Sequence, residues 1–162
     1  MMLYRRPTQL AVQTALLLAL EPEGSCRRVC EIAAALRVPT TYLSKVLHDL
    51  RRSGLLGAVR GPGGGVQLTR PAREIHLWDV LSALEPQIDL HHCFLGLERC
   101  SDRDPCPLDK AWAPLRNEII GVLQTKNLQE LASEAQTSGV LGWEPTDRNA
   151  NGQGSPCAEG QL

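Results

Sequence analysis

The stretch PTTYLSKVLHDLRRSGLLGAVRGPGGGVQLTR, residues 39–70, decides the fold. Leu43, Val46, Leu47 and Leu50 recur at intervals of three and four, which predicts a helix with one buried stripe. Thr40 or Thr41 can cap its start, and Gly54 can supply the positive φ of its C-terminal cap. Two strand-like runs, Leu55 to Arg60 and Val66 to Arg70, then flank the glycine-rich turn, which reads as a β-hairpin. Upstream, Arg37-Val38-Pro39 makes a tight turn after a short helix near Val29 to Leu36. Two short helices joined by a tight turn are the helix-turn-helix pattern, and a hairpin placed after it is a wing.

Outward from this core, a helix is expected from about Pro7 to Leu20, since proline suits a first helical position. Others are expected at 77–84, from Pro107 to about Thr125, and from Asn127 to Glu134. Leu108, Trp112, Leu115, Ile119, Val122 and Leu123 form a stripe on the long one. Residues 137–162 are rich in Gly, Ser, Asn, Gln and Pro and read as disordered. The fold class is therefore mainly α with a small β-hairpin wing.

The chain has 162 residues, enough for one domain and a tail, and 43% of them are apolar. No apolar run reaches the ~18 residues of a membrane span. Arg5 and Arg6 precede an apolar stretch, as in a signal peptide, but Gln9, Gln13 and Thr14 interrupt it at helical spacing. A cytoplasmic location is the expectation. Net charge is −1, yet residues 1–78 carry a balance of +6 and residues 79–162 one of −7. A basic half beside an acidic half points to one face that meets an anionic polymer.

Thr40, Thr41, Tyr42, Ser44 and Lys45 cluster at the start of the third helix, the end that reaches base edges in such folds. Arg51 and Arg52 at its far end suit phosphates, and Arg60 leads into the wing, where an arginine can enter a minor groove. Gly61, Gly63 and Gly64 leave the wing tip almost without side chains, so backbone can approach DNA closely. The same glycines lack the Gly-Lys-Ser/Thr ending of a phosphate loop and lead into a strand, which excludes that reading. There is no nucleophile–base pair and no catalytic motif, so an enzyme is not expected.

Six cysteines are present: Cys26, Cys30, Cys93, Cys100, Cys106 and Cys157. Cys93, Cys100 and Cys106 lie in HHCFLGLERCSDRDPCPLD, with gaps of six and five residues. Thiolates suit iron–sulfur clusters and zinc alike, and these gaps are wider than the knuckles of structural zinc sites. Cys26 and Cys30 read as small half-buried thiols. Cys157 reads as incidental, and His48 and His76 as structural or solvated.

Residues 39–65, with their Arg-Gly-Pro-Gly-Gly-Gly wing, and the three downstream cysteines resemble the bacterial winged-helix regulators that include IscR and NsrR. The resemblance covers about residues 3–134. It implies a homodimer in which the long helix crosses its counterpart, and a pseudo-palindromic site on double-stranded DNA. It also implies an iron–sulfur cluster, 2Fe–2S rather than 4Fe–4S, on Cys93, Cys100 and Cys106, controlling a repressor that senses iron–sulfur, redox or nitric oxide status. The alternative is a direct thiol redox or zinc switch on the same cysteines. Some relatives place a histidine three residues after the third cysteine, where this chain has Asp109. Others use a carboxylate of the first helix, where this chain has Thr8. Asp109 is thus the expected fourth ligand, with His92 or His91 as alternatives. The implied organisation is a DNA-binding domain at 1–86, a cysteine loop at 87–109, a dimerisation helix and short C-terminal helix at 110–136, and a tail at 137–162.

Overall fold

A computed structural model describes residues 5–61, 63–85 and 107–139. Among them the helices are α1 (Arg6–Ala19), α2 (Val29–Ala35), α3 (Thr40–Arg52), α4 (Leu77–Leu84), α5 (Asp109–Thr125) and α6 (Leu128–Thr137). Strands β1 (Leu56–Val59) and β2 (Gly65–Leu68) form one antiparallel hairpin, with Leu56 opposite Leu68 and Val59 opposite Gly65. A 3-10 turn at Ala72–Glu74, which no periodicity announced, links the wing to α4.

Leu10 of α1, Ile32 of α2, Leu43 and Leu50 of α3, Val66 of β2, Val80 of α4 and Leu128 of α6 meet in one core. Their helical or alternating spacing turns one face of each element inward, and that burial is the main stabilising term. The expected grouping of the short C-terminal helix with the dimerisation helix differs from this arrangement. Leu128 and Ala132 are buried in the same core as Leu10, so α6 packs with the DNA-binding helices. Backbone bonds from Leu77 N to Lys126 O (3.0 Å) and from Leu128 N to Ile75 O (2.8 Å) stitch the start of α4 to the α5–α6 junction. Asn127 caps α6 by accepting from Glu130 N at 2.9 Å.

The cap expected at Thr40 or Thr41 is not formed: Pro39 is the N-cap, and both threonines lie inside the first turn of α3. Arg37 adopts φ +53° at the turn between α2 and α3. That left-handed conformation is uncommon for a residue with a Cβ, and it lets the chain reverse between the two short helices.

The wing is more than a hairpin. Arg27, just before α2, exchanges two backbone hydrogen bonds with Val66, each 2.9 Å. This third strand-like segment lies so close that a Cβ on Gly65 would sit 2.2 Å from the Arg27 carbonyl oxygen. A Cβ on Gly64 would sit 2.3 Å from the Val59 carbonyl oxygen. Gly64 was expected to serve close approach to DNA; the structure gives it a reason within the wing itself.

α5 has a different environment. It contains Pro114, and Leu115 and Val122 are 49% and 53% exposed. These two residues lie seven apart, two turns along one side of the helix. Cys93, Cys100, Cys106, His91, His92, Cys157 and the 137–162 tail beyond Gly139 lie outside the described residues.

Candidate nucleic-acid interface

α3 is held by Leu43, Val46, Leu47 and Leu50, each buried in the core. That fixes its roll and turns Thr40, Thr41, Ser44, Lys45, Arg51 and Arg52 outward, all of them exposed. Tyr42 is half-buried and packs against the core, so its part in reading DNA is limited to its outer edge. His48 is exposed on the same stripe, one turn beyond Ser44 and two beyond Thr41. It had been read as structural or solvated. The four- and seven-residue spacing from Ser44 and Thr41 is the signal that places it with them. Arg60, Gly61 and Gly63 are exposed at the wing tip, whereas Gly64 is half-buried.

The arginines divide into two sets. Arg27 is 5% exposed, with Nε 3.3 Å from Glu21 Oε1. Arg28 pairs with Glu31 at 2.6 Å, Arg70 with Asp79 at 3.1 Å, and Arg73 with Glu23. Arg5 pairs with Glu85 at 2.6 Å. By contrast, Arg37, Lys45, Arg51, Arg52 and Arg60 have no acidic partner among the described residues. Arg6 on α1 and Lys110 and Arg116 on α5 also lack an acidic partner among the described residues, but the helix-turn-helix and the wing hold the largest group of unpaired cations, and the paired ones mostly hold the scaffold.

Glu85 ends α4 at the last described position before the cysteine-bearing segment. Its carboxylate accepts from Arg5 Nε at 3.0 Å and from Thr8 Oγ1 at 2.8 Å. The hydrogen bond from Arg5 is the main reason its pKa falls to about 2. Thr8 is itself buried, and its hydroxyl donates a hydrogen bond to Glu85, so it is engaged within the fold. Asp109 is the first residue of α5; the placement of its side chain is outside the described part. Among the described residues no three His, Cys, Asp or Glu side chains gather as a metal site.

Cys26 is half-buried, and its Sγ lies 3.4 Å from the Gly63 carbonyl oxygen at the wing tip. Cys30 differs from the expected free thiol in being disulfide-bonded. No helix among the described residues is long and apolar enough to cross a membrane.

The sequence pattern of Rrf2, described as an iron-dependent transcriptional regulator, matches residues 4–134. The HTH-type transcriptional regulator IscR of Pectobacterium atrosepticum is 32% identical over 145 residues, which are 88% of this chain and 88% of that one. Protein aau3 of Rhizobium meliloti is 39% identical over 119 residues, 72% of this chain and 77% of its own. Among solved structures, CymR, the global cysteine regulator of B. subtilis, superposes with a TM-score of 0.71 at 23% identity, over 83% of this chain and 98% of that one. That likeness extends the winged-helix architecture to the whole arrangement of helices and hairpin.

Proposed function

Because the chain belongs to the Rrf2 family of transcriptional regulators, we propose that it is a homodimeric repressor whose operator binding is controlled by an iron–sulfur cluster. The family is one of DNA-binding regulators, not enzymes. The observation that carries the DNA-binding reading is the cluster of unpaired cations on one part of the fold. Arg37, Lys45, Arg51, Arg52 and Arg60 stay free of acidic partners on α3, its preceding turn and the wing, although acids elsewhere neutralise Arg5, Arg27, Arg28, Arg70 and Arg73. Such cations displace counterions from DNA, which gives affinity that falls with salt.

The exposed Leu115 and Val122 of α5 support the homodimer, since a second copy of the helix would cover them. A two-fold dimer in turn calls for a pseudo-palindromic operator. Cys93, Cys100 and Cys106 are the cluster ligands in this reading, and three thiolates are a donor set suited to iron–sulfur binding. With the Thr8 hydroxyl committed to Glu85, the fourth position falls to Asp109, or to His92 or His91. When bound, a 2Fe–2S cluster would supply a centre altered by iron supply, oxidants or nitric oxide. Glu85 joins α1 to the end of α4 beside the cysteine segment, so it lies where a change there would reach the reading helices.

A second reading keeps the same cysteines as a direct thiol redox or zinc switch. Anaerobic purification followed by native mass spectrometry tests both. A dimer carrying iron and sulfide, with visible absorption lost in Cys93→Ala or Cys106→Ala, is the expected result. Zinc, or reversible oxidation without iron, would replace the first reading with the second. A band shift on promoter DNA that does not weaken with salt would overturn the DNA-binding reading.

A further inference from the structure

We infer that Ser44 is a specificity-determining residue that reads an amino group in the major groove, the N4 of cytosine or the N6 of adenine. The inference rests on α3 being the recognition helix, as proposed above. Ser44 is exposed in the N-terminal half of α3, the part of such a helix that reaches base edges. Leu43 before it and Leu47 after it are buried, so Ser44 faces away from the core.

A free serine hydroxyl has one proton to donate and two lone pairs to accept with, so it fits any base. The Ser44 hydroxyl is not free in this sense. Its Oγ donates to the Thr40 carbonyl oxygen at 2.8 Å, one turn back on the same helix. With its proton directed into the helix, the oxygen offers the groove acceptor lone pairs only. Major-groove edges then separate into two kinds. Adenine and cytosine present an amine, while guanine and thymine present O6 or O4 at the equivalent place. An acceptor-only hydroxyl bonds the first kind and sets lone pair against lone pair with the second.

Lys45, the next residue, has the opposite polarity. Its ammonium carries three donors and no acceptor, and it favours guanine O6 and N7. The two neighbours thus impose contrary demands, with an amino base under Ser44 and a keto base under Lys45. This is a more specific expectation than hydroxyls that serve any base.

The test is binding-site selection from random double-stranded DNA, using the full chain purified anaerobically beside Ser44→Ala and Ser44→Arg. The wild-type motif should hold one position per half-site enriched in adenine or cytosine. Ser44→Ala should flatten that position alone, by about fivefold, the weight of one hydrogen bond. Ser44→Arg should convert the same position to guanine, because arginine brings donors in place of acceptors. Ser44 is on an exposed helical surface, and matched thermal midpoints for the three proteins confirm intact folding. A Ser44→Ala motif identical to the wild type, or one that erases a guanine or thymine preference, would overturn the inference while leaving α3 as the reading helix. Absence of any selected motif with wild-type protein would overturn the recognition role of α3 and the inference with it.

Discussion

Replacing Gly65 by alanine tests whether the wing is built into the body of the protein or merely attached to it. A Cβ at this position would lie 2.2 Å from the Arg27 carbonyl oxygen, 2.5 Å from its carbon and 2.9 Å from Arg28 N. All three atoms are backbone, so no side chain can swing aside, and one segment must move by about an ångström to restore ordinary contact. Such a shift breaks the reciprocal Arg27–Val66 bonds of 2.9 Å, at roughly 1 kcal/mol each. Overpacking adds about 1–3 kcal/mol. Together these give a loss of about 3–5 kcal/mol, a large part of the stability of a small domain. Urea unfolding of the metal-free chain, followed by far-ultraviolet circular dichroism, measures it. Gly63→Ala is the comparison. Gly63 has φ +80° but open space around a Cβ, so only conformational strain of about 1 kcal/mol is expected. If the two variants unfold within about 1 kcal/mol of each other, the Arg27 segment is not a third strand of the wing in solution, and the reasoning fails.

Three further outcomes are expected. Arg37→Gly should raise the unfolding free energy measured in urea by about 0.5–1 kcal/mol, because glycine adopts φ +53° without the cost borne by a side chain; the same variant should bind DNA more weakly and lower the slope of affinity against salt by about one, and an unchanged slope would remove Arg37 from the phosphate contacts. Thr14 is fully buried and its hydroxyl has no hydrogen-bond partner among the described residues, so Thr14→Val should stabilise by roughly 1 kcal/mol, and a loss of stability would show that the hydroxyl is satisfied. For Glu85, the folded pKa of about 2 lies below the ordinary 4.5, so its contribution is complete above about pH 4.5 and fades as pH falls toward 2. Arg5 is 75% exposed, so solvent screens the pair and only part of the shift appears as stability at neutral pH. Glu85→Gln should therefore unfold more easily than wild type at pH 7 and converge with it near pH 2; a difference independent of pH would assign the effect to packing.

The parts legible in the sequence are those set by near neighbours. Leu43, Val46, Leu47 and Leu50 announce α3 because helical periodicity is local, and Arg60 with the glycines announces the wing because turn chemistry is local. The parts not legible depend on distant chain segments. Nothing near Gly65 in the sequence shows that Arg27 will press against it, so the packing that requires a glycine there is visible only in the fold. His48 lies four and seven residues from Ser44 and Thr41, so its place on their side of α3 is legible in the helical spacing, while its exposure follows from the burial of Leu43, Val46, Leu47 and Leu50.

The same distance dependence decides which charges are free for DNA. Residues 1–78 carry a balance of +6, but the sequence does not say which cations remain unpaired. Arg5 finds its acid eighty residues away at Glu85, and Arg73 finds one fifty residues back at Glu23. Once these pairs form, Arg37, Lys45, Arg51, Arg52 and Arg60 remain free together on α3, its preceding turn and the wing tip, and that cluster bears on the question more than net charge does. Pairing at Glu85 has a second consequence. It occupies the Thr8 hydroxyl on α1, which serves to clamp α1 to the end of α4. In the proposed regulator the fourth ligand must then come from the cysteine segment or from Asp109, and an aspartate is a harder, weaker ligand for iron than a thiolate. A site completed by Asp109 would release its cluster readily. Asp109→His should slow cluster loss in air if that carboxylate is a ligand, and should leave the rate unchanged if it is not.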